Sequence, residues 1–207
     1  HQQGQDDPSR PAKADYSMSG DQTESSTFNA AVLFADCSGF TSLTERLSHT
    51  KNGAEELVNE LNPYLEALIL TVNEFGGDVV KFAGDACMVL WAVDHPSGFS
   101  HSLEEATYWA ARCACCLHER LQGYTTTKPV DAPVELCLHI GLAAGPVVGM
   151  SIGGVRGRWE YVLAGQTIVE LGIAEPAAAS NETVATPAAW EALTAPRHGG
   201  AVARGRE

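Results

Sequence analysis

Phe34-Ala35-Asp36-Cys37-Ser38-Gly39-Phe40-Thr41, and then Phe75-Gly76-Gly77-Asp78-Val79-Val80-Lys81-Phe82-Ala83-Gly84-Asp85-Ala86, are the two stretches that decide the fold. The first closes a nearly continuous apolar run, Phe28 and Ala30 through Ala35, which reads as a strand buried on both faces. The second is a helix stop at Gly76-Gly77 followed by two apolar runs, Asp78–Phe82 and Ala86–Val93, spaced as a tight hairpin. Asp36 therefore ends a strand and Asp85 sits at a hairpin tip. In an antiparallel sheet the two carboxylates are expected to meet at one edge.

Working outward, Thr41–Leu47 reads as a short helix and Gly53–Phe75 as a long one. Ala54, Leu57, Val58, Leu61, Leu65, Leu68, Ile69 and Val72 form the stripe expected to face the sheet. Pro63 interrupts it at a cost of about 3 kcal/mol, so a kink or break is expected near Asn62. Ser102-x-x-Glu105 is a capping box that opens a helix with Ala106, Trp109, Ala110, Cys113 and Leu117 inward and Gly123 as its stop. After a loop at Tyr124–Pro133, Val134–Ala144 is a strand and Arg158–Leu163 its antiparallel partner, reached by a Gly-rich excursion through Gly145–Gly157. Gln166–Ala174 reads as a helix, Thr183–Ala185 as a short strand, and Thr186-Pro187 as cap and first residue of a last helix. This order predicts an α/β ferredoxin-like sandwich: a mainly antiparallel sheet with helices on one face. The domain is expected over 28–195, with 1–27 a disordered tail or linker and 196–207 a tail or linker to a following segment. Since the chain does not open on Met, a longer parent protein is expected.

Composition bounds the function. With 13 Lys+Arg against 26 Asp+Glu and a net charge of −13, the chain lacks the basic patch that holds nucleic acid and is ill suited to an anionic membrane surface. Its apolar runs fall well short of the roughly 20 residues of a membrane-spanning helix, and His1–Thr27 has neither a signal-peptide nor a transit-peptide pattern. No nucleic-acid and no membrane partner is expected. Cys37, Cys87, Cys113, Cys115, Cys116 and Cys137 supply a single C-x-x-C with no second pair. They are read as structural thiols in a reducing cytoplasm.

Either aspartate alone has an ordinary reading, since such residues commonly cap or turn a chain. Together, on rigid strand ends, they are what a two-magnesium site needs: hard oxygen ligands, with other positions left to water and phosphate. The turn Cys37–Phe40 leads into a helix whose first N–H groups, at Ser38, Gly39, Phe40 and Thr41, suit a polyphosphate.

The two quoted motifs, with Ile140-Gly141-Leu142-Ala143-Ala144-Gly145 and Tyr161-Val162-Leu163-Ala164-Gly165-Gln166, resemble the class III nucleotidyl cyclase domain over about Phe28 to Leu193. Within it the chain is most similar to the first catalytic half of the bicarbonate-responsive soluble adenylyl cyclases. Diguanylate cyclases share a Gly-Gly-Asp hairpin but lack the Lys-Phe-Ala-Gly-Asp continuation. The resemblance implies that Asp36, Asp85 and the main-chain carbonyl of Cys37 hold two divalent ions, Mg²⁺ with Mn²⁺ or Ca²⁺ as alternatives. ATP is then converted to 3′,5′-cyclic AMP and pyrophosphate by attack of the ribose 3′-hydroxyl on the α-phosphate. A ciliary or flagellar setting within the cytoplasm is the more specific expectation.

The same resemblance shows what is missing. Active sites in this family lie between two such domains, and the partner's base-reading Asp or Thr, its Asn and its Arg correspond to Val162, Val169 and Ile173 here. None of these can hydrogen-bond a purine or clamp a phosphate, so the chain is expected to be the metal-donating half of a pseudoheterodimer and inactive alone. A guanylyl cyclase half and a noncatalytic assembly module are the alternatives. Lys81 is placed by the resemblance at the second, degenerate site, where with an Arg it binds bicarbonate. That Arg position is Gly172, leaving Arg156 and Arg158 as substitute donors and bicarbonate as a doubtful partner.

Overall fold

The computed structural model describes residues 25–94, 100–129 and 132–195, with Val155 described by its backbone alone. Of the tail expected over 1–27, residues 1–24 lie outside the described residues and Ser25–Thr27 are strand instead, held by pairing with Val148–Met150; the expected tail over 196–207 also lies outside the described residues.

The apolar run at the first motif forms β1 (Ser25–Ser38), which begins three residues ahead of Phe28. It leads into α1 (Phe40–Ser48) and α2 (Gly53–Glu74), then the hairpin of β2 (Asp78–Ala83) and β3 (Ala86–Ala92), and α3 (Leu103–Leu121). Next come β4 (Tyr124–Thr125), the long β5 (Glu135–Gly153), β6 (Trp159–Ala164), α4 (Gln166–Ala174), β7 (Glu182–Ala185) and α5 (Pro187–Thr194). The sheet order is β2-β3-β1-β5-β4, and β6 and β7 also pair with β5. Every pairing is antiparallel except β5 with β7.

Alternation along β1 divides the core. Ala31, Leu33, Ala35 and Cys37 join α1, α2, α3 and α5 in one cluster. Ala30 and Val32 point the other way, toward Leu90, Ala143, Val147, Leu163 and Leu171 of α4. Four helices thus share one face as the sequence predicted, and α4 lies on the opposite face. Fully buried Leu33, Leu43, Leu117, Ile140 and their neighbours contribute about 1.5–3 kcal/mol each to the packing that holds these layers.

Three local expectations need correction. The Gly-rich excursion is mostly strand: β5 continues to Gly153, and the turn is a short 3₁₀ segment at Val155–Gly157. Pairing with β1 up to Ser25↔Met150 satisfies the backbone there, so the glycines do not break the ladder. α2 runs unbroken through Pro63, where burial of Tyr64, Leu68 and Val72 offsets the lost hydrogen bond. Its buried stripe also includes Glu60 and Thr71, while Val58 is exposed. Glu60 tolerates burial because its carboxylate accepts hydrogen bonds from the Thr127 N–H (2.7 Å) and hydroxyl.

The caps form as the residues demand. Ser102 Oγ accepts from Glu105 N at 3.2 Å while Glu105 accepts from His101 N at 2.9 Å, and Thr186 Oγ1 accepts from Ala189 N at 3.3 Å. All six cysteines are free. Burial pushes Cys37 up to about 11 and Cys87 and Cys113 up to about 12, as expected of structural thiols.

Candidate active site

Asp36 lies near the end of β1, on the α4 side of the sheet, because its neighbours Ala35 and Cys37 belong to the helix-covered face. Ala35 pairs with Cys87 and Ala83 with Ala86, so the two-residue turn Gly84-Asp85 comes up beside Asp36. The meeting is felt electrostatically: partial burial first, and the Asp85 charge next, push the Asp36 carboxyl above the ordinary carboxylate range. Neither aspartate pairs with Lys or Arg among the described residues.

The turn before α1 has a geometry that only glycine supports. Gly39 sits at φ 98°, and a Cβ there would come 2.5 Å from the Glu135 carbonyl oxygen. With Gly39 as N-cap, α1 has no side-chain cap, so its leading N–H groups are left unclaimed by a cap. The Ser38 hydroxyl is already engaged, its Oγ donating to the Cys137 carbonyl at 3.2 Å. Thr41 is exposed on the first turn of α1.

The sequence reading missed two further residues. His139 on β5 pairs directly with Asp36, and its Nδ1–H donates to the Ala178 carbonyl at 3.0 Å. Glu175 follows α4; burial first and the Asp36 charge next raise its carboxyl, and His139 opposes this. Glu175 reaches the site because Gly141 makes room: a Cβ at Gly141 would meet the Glu175 Cβ at 2.8 Å and its N at 2.9 Å. Counting β1 against β5 from Phe34↔Gly141 would have found His139. Nothing local in the sequence marks Glu175.

The donors fit hard divalent cations: carboxylates of Asp36 and Asp85 beside a backbone carbonyl at Cys37, with no thiol or imidazole required. Among the described residues, no group of three or more His, Cys, Asp and Glu side chains is placed to hold a metal ion, so the two carboxylates and the carbonyl would need water or a ligand to complete a cation's shell.

Of the remaining predicted residues, Lys81 pairs with Met88, which packs with the α4-side cluster, and is exposed. A bulge between Val79 and Lys81 sets that direction. Val169 is 58% and Ile173 69% exposed on the outer side of α4. Val162 pairs with Met150. Gly172 is exposed with open space around it, and Arg156 and Arg158 are exposed around the β5–β6 turn. No helix among the described residues is long and apolar enough to cross a membrane.

Residues 23–196 match the profile of the adenylate and guanylate cyclase catalytic domain. Adenylate cyclase type 10 of Rattus norvegicus is 33% identical over 167 residues, which is 79% of this chain and 10% of that protein. The chain thus spans about a tenth of that relative's length. Among solved structures, the catalytic core of a rhodopsin-guanylyl cyclase with converted specificity, in complex with ATPαS, aligns with a TM-score of 0.68. It is 18% identical, with 84% of this chain and 86% of that one covered. The adenylyl cyclase CyaB from P. aeruginosa aligns with a TM-score of 0.64 at 22% identity, covering 82% of each chain.

Proposed function

The chain belongs to the adenylate and guanylate cyclase catalytic-domain family, and we propose that it is the metal-donating half of an adenylyl cyclase that works only with a complementary second half. The observation that carries this reading is the meeting of Asp36 and Asp85 at one sheet edge with no balancing Lys or Arg among the described residues. Two anions held together in a partly buried place destabilise the cation-free fold, which is hard to reconcile with a domain kept only for assembly.

Asp36, Asp85 and the Cys37 carbonyl would hold the ions. When bound, two divalent ions acidify the ribose 3′-hydroxyl and neutralise charge building on the α-phosphate and departing pyrophosphate. The chain's own part is positional. β1 and the hairpin fix the two carboxylates on rigid strands, and the uncapped start of α1 at Phe40 and Thr41 offers N–H groups to the phosphates. His139, held by Ala178, keeps its ring beside Asp36.

Pairing with a second half is supported by α4, whose Ile168 and Leu171 pack inward while Val169 and Ile173 face out. Two large apolar side chains exposed on one helix, beside the polar Gln166 and Glu170, suit a surface covered by a partner. A homodimer would place apolar side chains where this chemistry needs polar ones, each worth about two to three powers of ten in rate. ATP is preferred as substrate on the likeness to adenylate cyclase type 10.

The test is cyclic nucleotide formation from ATP and from GTP, with Mg²⁺ or Mn²⁺, by this chain alone and by the intact protein that carries it. Cyclic AMP from the intact protein and negligible turnover by the chain alone are expected. Robust turnover by the chain alone overturns the half-site reading, and a preference for GTP overturns the choice of base.

A further inference from the structure

A cavity of about 590 Å³ opens on the α4 side of the sheet, at the opposite end of β1 from Asp36. Phe28 and Ser26 on β1, Val80 on β2, Leu90 and Ala92 on β3, and Tyr161 on β6 form much of its wall. Phe28 is eight residues from Asp36, about 26 Å at the rise of a strand, so this cavity is separate from the carboxylate pair. It exists because α4 covers only part of its side of the sheet. From Thr167, whose hydroxyl donates to Pro146 O, α4 runs back to the Glu175 turn at Gly141, and the β2–β3 side beyond Val32 is left open. Tyr161 bounds the hollow on the other side, its ring lying over Gly149 next to Phe28.

The wall is apolar and the rim acidic. Asp78 starts β2 and Asp94 follows β3, and both line the cavity, whereas none of its lining residues among the described ones is Lys or Arg. Asp94 has His101 Nδ1 at 3.8 Å, an exposed contact, and Asp78 has no ion pair among the described residues. An apolar hollow between two carboxylates suits an apolar side chain flanked by a cation: the hollow takes the hydrophobic group and the rim takes the charge. The hollow also shares its side of the sheet with exposed Tyr161 at 43% and Trp159 at 49%, and with the outward Val169 and Ile173 of α4. These side chains are contiguous with the surface that the pairing proposed above would cover.

The geometry points to this cavity as a docking socket for one segment of the complementary cyclase half, carrying a large apolar residue next to Lys or Arg. The inference rests on the half-site reading and adds to it a second anchor, far from the chemistry, that sets which second half is accepted. Aromatic or aliphatic anchors seated in such pockets dominate many interfaces, and facing charges govern partner choice.

The test uses the intact protein with a photoreactive p-benzoylphenylalanine at Tyr161 in the socket or, separately, at Ile173 on α4, followed by mass-spectrometric identification of the attached residue. The expected result is that Tyr161→p-benzoylphenylalanine attaches to a segment of the second half with Lys or Arg beside the attached apolar residue. Asp78→Lys combined with Asp94→Lys then lowers that yield at least about tenfold, since like charges now face each other. The yield from Ile173→p-benzoylphenylalanine stays unchanged, which shows the variant still folds and pairs. If the Ile173 probe reaches the second half while the Tyr161 probe does not, the socket is wrong and the pairing stands. The socket is equally wrong if the Tyr161 probe finds a segment without a cation, or if its yield ignores the charge reversal. If neither probe reaches a second cyclase half, the pairing falls and the socket with it.

Discussion

His139 stands directly across the β1–β5 ladder from Asp36, with its ring pinned by an Nδ1–H hydrogen bond of 3.0 Å to the Ala178 carbonyl. The pin leaves Nε2 as the free ring nitrogen; it is buried and has no partner among the described residues. The imidazole pulls the Asp36 carboxyl downward, against the upward push of burial and of Asp85. His139→Ala removes the ring that stands across the ladder from Asp36, and with it the neighbour that keeps the carboxylate in place to hold an ion. The expected outcome is a half-saturating Mg²⁺ concentration at neutral pH raised by at least about threefold, or ~0.7 kcal/mol. A Mg²⁺ titration of the intact enzyme's rate measures it, and an unchanged Mg²⁺ dependence would remove His139 from the site.

Asp36→Asn and Asp85→Asn are each expected to leave less than about a tenth of the rate, a barrier rise above about 1.4 kcal/mol, without unfolding the protein. Stability should move in the opposite sense to activity. Because the Asp36 and Glu175 carboxyls are raised in the folded state, protonation favours folding. Their contribution is fully present below the ordinary carboxylate range and is lost as pH rises through the raised values. In a chelator, the difference in melting temperature between wild type and Asp36→Asn should therefore grow toward neutral pH, with the Asn variant the more stable. Mg²⁺ should narrow the difference by stabilising the wild type alone. A gap independent of both pH and Mg²⁺ contradicts the assignment.

Glu60 supplies a stability test remote from the site. Its carboxylate accepts from the Thr127 N–H and hydroxyl, and its own carbonyl accepts from the Tyr124 hydroxyl at 3.1 Å. Removing the carboxylate orphans a donor at the loop before β5. Glu60→Ala is expected to cost about 2–3 kcal/mol, read by denaturant unfolding, and Glu60→Gln should recover a good part of it.

The strands flanking Asp36 and Asp85 were legible because each is a local apolar run closed by turn residues. The two caps at Ser102 and Thr186 were legible because capping is a short-range hydrogen bond. What escaped was nonlocal. Whether Gly145–Gly153 is a loop or a strand is decided by pairing with Ser25–Ala30, far away in sequence. The placement of α4 on the opposite face is set by Leu171 meeting Val32 and Ala143, contacts that periodicity cannot see. Glu60 is no part of the apolar stripe that marks the buried face of α2, and only Thr127, from another element, makes its burial tolerable. Glu175 joined the site for the same kind of reason, through the absence of a side chain at Gly141.

Regulation by bicarbonate can be argued from Gly172. A planar monoanion is held with specificity by two donors in different directions, and the planar fork of a guanidinium is the natural second donor beside an ammonium. Lys81 is exposed on the α4 side, but Gly172, where the resemblance implies an Arg, offers nothing, while Arg156 and Arg158 lie around the β5–β6 turn. Weak or absent bicarbonate stimulation of the intact enzyme is therefore expected. The space at Gly172 is open, since a Cβ there meets nothing within 4 Å, so Gly172→Arg can be accommodated on α4 and is expected to create or strengthen the response. Lys81→Ala should abolish whatever response exists. Rates measured against bicarbonate at fixed pH and ionic strength decide the matter. Strong saturable stimulation of the unmodified enzyme, unaffected by Arg156→Ala and Arg158→Ala, would place the anion site elsewhere.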